Sequence, residues 1–246
     1  MSADWLAPVR SARSWAAPGG TLGYDTWGAH GRPVLLLHAP LFDRTMWWPV
    51  AADLRTEATM IAVDLPGHGA SPGRDHYHPE AVVEDLAHLV HGLGATRAPV
   101  VVGHGGSAGL AALFAVRFAA HALVTVDACA GPGGGTPVDG DHVRRYLATM
   151  PADALPPSYR GLVTAKPDPA LLAGYLGCGA AGPPGSAGPD AGRLPPAVRR
   201  LDVHSQGTPG ETAAVPGSRT VVYGVPGRFA HLADVPRFGS DVRSVL

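Results

Sequence analysis

The sequence predicts an α/β fold: a mostly parallel central sheet flanked by helices, with an inserted segment over one end. The first observation is a set of continuous apolar runs at 34–37, 60–63, 100–102 and 123–126. Short runs rich in Val, Leu and Ile suit strands buried on both faces of a parallel sheet. The second is helical periodicity between those runs, which implies βαβ units. The third is a Gly- and Pro-dense stretch over 131–197 that interrupts the alternation.

In chain order, residues 21–27 alternate as an early edge strand, and the apolar run ending at His38 follows. The run ending at Asp64 leads into Leu65-Pro66-Gly67-His68-Gly69, a turn by composition. Residues 79–93 form a helix by spacing, with Val82, Val83, Leu86, Leu89, Val90 and Leu93 on one face. The strand at 100–102 passes through Gly103-His104-Gly105-Gly106 into an alanine-rich helix running to Ala120. After the strand at 123–127 come short helical pieces near 141–150 and 168–176, with a loose tip near 179–192. The last strands are expected at 201–204 and 220–223, and a closing helix at 234–246. The organisation is therefore a core of 1–130 and 198–246 with an inserted lid at 131–197. Gly131-Pro132-Gly133-Gly134-Gly135 lacks the Lys-Ser/Thr of a phosphate loop and reads as a lid hinge.

Composition narrows the function. The chain has 246 residues, enough for one domain with a large core, and a net charge of −1 without a basic block. Nothing there favours nucleic acid or an anionic membrane surface. Cys129 and Cys178 make no disulfide framework, and neither a signal peptide nor a membrane span is legible, so a cytoplasmic protein is expected. Asp75, His76 and His78 lack a distant further ligand, so they read as solvated surface rather than a metal site. No cofactor motif appears. The proline-rich insertion and the tryptophans permit a homodimer.

Four segments together resemble the α/β-hydrolase superfamily, particularly its small, lidded esterase, C–C hydrolase and haloperoxidase-like members. They are Leu35-Leu36-Leu37-His38-Ala39-Pro40, Asp64-Leu65-Pro66-Gly67-His68-Gly69-Ala70-Ser71, Val102-Gly103-His104, and Pro226-Gly227-Arg228-Phe229-Ala230-His231-Leu232. The resemblance covers 20–130 and 200–246, and it implies a nucleophile elbow where the 100–102 strand meets its helix.

Each chemical position implied by that resemblance carries an unexpected residue. Gly105 stands where the nucleophile belongs and has no side chain to attack with. A literal G-x-S-x-G does occur, with Ser107 at its centre. Ser107 sits two residues into the turn, and at about 100° per residue it points away from the elbow. Arg228 stands where the general base belongs and cannot accept a proton. His231 is the fallback base. The third triad position falls on Thr208 or Gly207, with Glu211, Asp202 and Asp127 as offset carboxylates. The oxyanion donor falls on Pro40, which has no N–H, or on Leu41.

The expectation is a pocket without the usual triad. Pro40, Leu41, Phe42, Trp47, Gly105, Gly106, Asp127, Tyr159 and Phe229 would line it, with Trp48 and Tyr146 adding aromatic surface. The preferred activity is a cofactor-free, non-hydrolytic reaction: cyclisation, addition, C–C bond formation or elimination on a small aromatic or polyketide-like substrate. Arg228 would stabilise negative charge, and His104, His38 or His231 would move protons. The alternatives are an inert ligand-binding protein and a serine hydrolase using Ser107.

Overall fold

Residues 34–37 send successive side chains into two different apolar layers. That alternation sets the architecture. The computed structural model describes residues 11–129, 138–179, 194–207 and 217–246, and the statements below concern those. The strands are β1 (Ser11–Ala17), β2 (Gly20–Trp27), β3 (Arg32–Leu37), β4 (Ala58–Val63), β5 (Val100–His104), β6 (Ala122–Val126), β7 (Arg199–His204) and β8 (Ser218–Val222). The helices are α1 (Trp48–Leu54), α2 (Pro79–Gly92), α3 (Ala108–Arg117), α4 (Gly140–Ala148), α5 (Pro157–Arg160), α6 (Pro169–Gly179), α7 (Ala230–Ala233) and α8 (Val235–Arg243).

One eight-stranded sheet runs β1-β2-β4-β3-β5-β6-β7-β8. The β1–β2 and β2–β4 pairs are antiparallel, and all others are parallel. On one face Val34, Leu36, Val100, Val102 and Val124 pack with Val50 and Leu54 of α1 and Phe238 of α8. On the other, Leu35, Leu37, Val101 and Leu123 pack with Leu86 and Leu89 of α2 and Phe114 of α3. Both faces are dry, which is why these strands read as unbroken apolar runs rather than alternating ones.

Three element boundaries differ from expectation. β1 was not anticipated, because its half-exposed residues include Arg13 and two serines rather than an apolar face. It is held by a Pro18-Gly19 hairpin pairing Ala17 with Gly20, whose φ is +133°. α3 stops at Arg117 because Phe118 turns extended and lays its ring on Phe114, 5.3 Å between centroids. The closing helix is shorter, with Asp234 as N-cap accepting from the Arg237 N–H and Pro236 in its first turn. The expected hinge at 131–135 and loose tip at 179–192 fall outside the described residues, apart from Gly179, which ends α6.

Residues 138–179 cover the carboxyl ends of the central strands. Lys166 N–H donates to the Leu41 carbonyl at 2.8 Å, the Thr45 hydroxyl to Leu162 O at 2.8 Å, and the Tyr175 hydroxyl to Pro66 O at 2.8 Å. Below them, β5 and α3 approach closely at Gly103. A Cβ there would lie 2.6 Å from Ser107 O and 2.8 Å from Ala108 Cα. Backbone cannot yield as a flexible side chain can, so Gly103→Ala should cost about 1–3 kcal/mol. A fall in the urea midpoint at unchanged m-value would show it; an unchanged midpoint would contradict the close approach.

Candidate functional site

β5 ends at His104, and Gly105 follows in the left-handed region at φ +58°, leading through one 3-10 turn into α3. This is the strand–turn–helix geometry that presents a nucleophile. A Cβ on residue 105 would lie 3.2 Å from both the Ala39 Cβ and the Met150 methyl, and 3.6 Å from the Tyr146 hydroxyl. Gly105 therefore occupies the turn between β5 and α3, and that turn is roofed rather than open. The Tyr146 hydroxyl is buried with no hydrogen-bond partner among the described residues. Burial and the neighbouring Cys129 hold its pKa well above the usual phenol range, against an opposing pull from Arg228.

Ser107 is not at the elbow. It is fully buried, and its hydroxyl donates to the His38 carbonyl at 2.7 Å. That bond fastens the start of α3 to the loop after β3.

The histidines expected as proton shuttles are all buried. His38 is buried; its Nδ1–H donates to Ala39 O at 2.9 Å, and its Nε2 accepts the Leu65 N–H at 3.0 Å. His68 mirrors it, donating to Pro66 O at 3.0 Å and accepting the Leu41 N–H at 2.9 Å. Both ring nitrogens of each are engaged. Burial pushes His38 down to about 4, and burial together with His38 pushes His68 down to about 3. His104 is fully buried, and its Nε2–H donates to the Arg228 carbonyl at 2.6 Å. It positions the Arg228 loop rather than facing a ligand. His231 lies in the core, 4.4 Å from Trp47 and 4.7 Å from His104 by ring centroids. Burial holds both His104 and His231 below the ordinary imidazole range.

In the loop after β3, neither Pro40 nor Leu41 has a backbone N–H to spare for the elbow. Pro40 has none, and the Leu41 N–H is engaged by His68, with Leu41 itself at φ +72°. Most of the expected pocket wall is core instead. Leu41, Trp47 and Phe229 are at most 1% exposed, Pro40 is buried, and Phe42 packs edge-on against Phe229 at 5.7 Å. Tyr159 packs half-buried against the same core, and Trp48 donates its indole N–H to Asp25 at 2.9 Å. Apolar composition alone does not distinguish a core aromatic from a pocket aromatic, and here the core takes them.

A cleft of about 440 Å³ opens beside the elbow, at the carboxyl ends of β6 and β7. Its polar lining is Asp127, Thr149, His204, Gln206 and Arg228, with Ala148, Pro151 and Gly227 completing the wall. Arg228 and Asp127 were expected; His204, Gln206 and Thr149 were not. A signal existed for His204, because Val126 pairs with Val203 and so sets Asp127 and His204 level on adjacent parallel strands. The Asp127 carboxylate is fixed by three donors: Ser205 N–H at 2.6 Å, Ser205 hydroxyl at 2.8 Å and Ala230 N–H at 3.3 Å. Its own φ is +47°, a left-handed turn that this clamp maintains. Asp202 is engaged by Thr125 and Arg200 within the sheet, and Thr208 and Glu211 lie outside the described residues. Among the described residues no three His, Cys, Asp or Glu gather as metal ligands, and no helix is long and apolar enough to cross a membrane.

Residues 30–239 match the alpha/beta hydrolase family. Among solved structures, a thermophilic esterase from Thermogutta terrifontis, determined with malate bound, is 25% identical with a TM-score of 0.72 over 95% of this chain and 97% of the other. A variant enzyme that recognises and ring-cleaves the Pseudomonas quinolone signal is 17% identical with a TM-score of 0.76, covering 96% and 98%. A meta-cleavage product hydrolase from Pseudomonas fluorescens IP01 is 20% identical with a TM-score of 0.69, covering 95% and 96%. A search of curated protein sequences finds no match.

The buried histidines make stability depend on pH. Unfolded, each takes a proton near pH 6.5; folded, His38 and His68 refuse it until about 4 and 3. Their contribution is complete above pH 6.5 and is lost as pH falls, by about 1.4 kcal/mol per unit for each histidine. Urea midpoints should therefore hold level above about pH 6.5 and drop steadily from there to pH 5, before most carboxylates titrate. A flat profile over that window would contradict the buried, neutral rings.

Proposed function

Because the chain belongs to the alpha/beta hydrolase family, its site can be weighed against the acyl-transfer chemistry that fold supports, and we propose that it does not use it. The reading offered is a cofactor-independent, non-hydrolytic enzyme acting on a small anionic substrate in the Arg228 cleft. One observation carries it: the left-handed elbow residue is Gly105, with the Ala39 methyl standing 3.2 Å from where its side chain would begin. Covalent catalysis needs a nucleophilic atom at that point. The Ala39 and Met150 methyls crowd the point where such a side chain would begin.

The cleft supplies different groups. Arg228 brings a cation whose planar donors suit a carboxylate or a developing enolate. His204, 7% exposed and lining the same cleft, is the imidazole placed to exchange a proton with a ligand. Asp127 is locked among its three donors and shapes the floor. His104 holds the Arg228 backbone in place from below. The lining is mainly polar rather than aromatic, so the substrate class narrows from flat polyketide-like molecules to compact carboxylates able to form an enolate. Elimination or addition through that enolate is the reaction class that a charge-neutralising arginine and a proton-exchanging histidine serve best. We take residues 131–197 as the lid of this site.

A second reading, binding without turnover, is favoured by the roof that Met150 and Tyr146 place over the elbow. The two separate on one probe, acetoacetate, which is both anionic and enolisable. Incubated in D₂O, the protein should bind it and accelerate α-proton exchange, followed by NMR. Arg228→Ala should weaken binding at least tenfold, and His204→Gln should abolish the acceleration while leaving most of the binding. Binding with exchange at the buffer rate would establish the second reading, and unchanged binding by Arg228→Ala would remove Arg228 from the site.

A further inference from the structure

The opposite end of the sheet carries a second concentration of polar groups, built from the amino ends of neighbouring strands. Arg32 opens β3 and donates from Nη1 to Ala98 O at 2.8 Å, in the segment that carries Arg97 into β5. His121 stands just before β6; its N–H donates to Pro99 O at 2.8 Å, and its carbonyl accepts from Arg199, the first residue of β7, at 3.3 Å. The order β3-β5-β6-β7 therefore sets Arg32, Arg97, His121 and Arg199 along one rim, with adjacent strands about 4.8 Å apart.

Among the described residues no Asp or Glu side chain pairs with this rim, and the backbone of Leu246 is the acceptor beside His121. Arg44, Arg74, Arg200, Arg219 and Arg243 each pair with a carboxylate, but Arg32, Arg97 and Arg199 do not. Glu57, whose backbone packs against Gly31, has both carboxylate oxygens engaged by Arg243. Arg32 Nε and His121 Nε2 are buried donors or acceptors with no partner among the described residues. Mutual repulsion follows. Burial and the charges of Arg97 and Arg199 lower the Arg32 pKa, and burial with Arg32, Arg199 and Arg97 lowers that of His121, opposed by the Leu246 backbone.

We propose that this rim binds a compact multivalent oxyanion, a phosphate or pyrophosphate group, either free or carried by a small metabolite. Three guanidinium groups offer forked donors to such an anion, and its charge relieves the repulsion among them. The site lies at the far end of the sheet from the Arg228 cleft and is independent of the function assigned there.

The test is thermal unfolding with pyrophosphate at constant ionic strength, comparing the native chain with Arg97→Ser/Arg199→Ser. Both residues are exposed, so the variant should fold. The expected result is a saturable rise of several degrees for the native chain and none for the variant. Without anion, the variant should unfold at the same temperature as the native chain or higher, because repulsion has been removed. Adenosine diphosphate raising the native chain more than pyrophosphate identifies a carried phosphoryl group, and an equal rise identifies the free anion. An equal shift in both proteins would reflect general salt exclusion and overturn the proposal, as would no shift at all or a variant less stable without anion.

Discussion

Two reciprocal hydrogen bonds join the carboxyl ends of β3 and β4, and much else depends on them. The Leu65 N–H reaches His38, and the Leu41 N–H reaches His68. Both acceptors are neutral, buried rings whose other nitrogen donates to a local carbonyl. The pair fixes the loop after β3 against the turn after β4. Asp64 adds a second tie, accepting Arg44 and Ala70 N–H groups while ion-pairing the Arg44 side chain. The turn's glycines are required at that closeness: a Cβ on Gly69 would fall 2.1 Å from the Asp64 carboxylate. The Asp-Leu-Pro-Gly-His-Gly-Ala-Ser run is thus a scaffold, with His68 tying it to the loop after β3.

That clamp also constrains chemistry. Pro40 lacks an N–H and the Leu41 N–H is held by His68, so neither residue can donate to an oxyanion. One such donor is worth about a hundredfold or more in an acyl-transfer enzyme. The elbow follows the same direction. The β5–α3 turn keeps the left-handed conformation that presents a nucleophile, yet Gly105 presents only a hydrogen. Ala39 supplies a methyl group facing the spot, so the two positions fit each other. Arg228 completes the set, held by its carbonyl on His104 with its side chain in a polar cleft.

The four central strands were legible because burial on both faces leaves a one-dimensional mark, an unbroken apolar run. β1 left no such mark: an edge strand of alternating half-exposed residues is held by pairing with β2 rather than by its own hydrophobicity. Gly105 falls in the turn after β5 and Arg228 in the loop after β8, as spacing alone predicts, since strand ends and turns fix them locally. The histidines could not be placed that way. His38, His104 and His231 stand beside site residues in the sequence, but whether a ring faces ligand or core is decided by packing from distant elements. Trp47 and Phe229 failed for the same reason. His204 lay in the expected strand, and only sheet register brings it level with Asp127.

A sheet of this order leaves polar groups at both ends while its faces are dry. The carboxyl end carries Asp127, His204 and Arg228; the amino end carries Arg32, Arg97 and Arg199, which pair with no Asp or Glu among the described residues. The proposal for the carboxyl end is that the family's covalent chemistry is absent there. Intact-mass spectrometry of the native chain after prolonged exposure to a fluorophosphonate measures it most directly. The account predicts the unmodified mass. A stoichiometric phosphonyl adduct mapping to Ser107, or to any other residue beside the elbow, would contradict it.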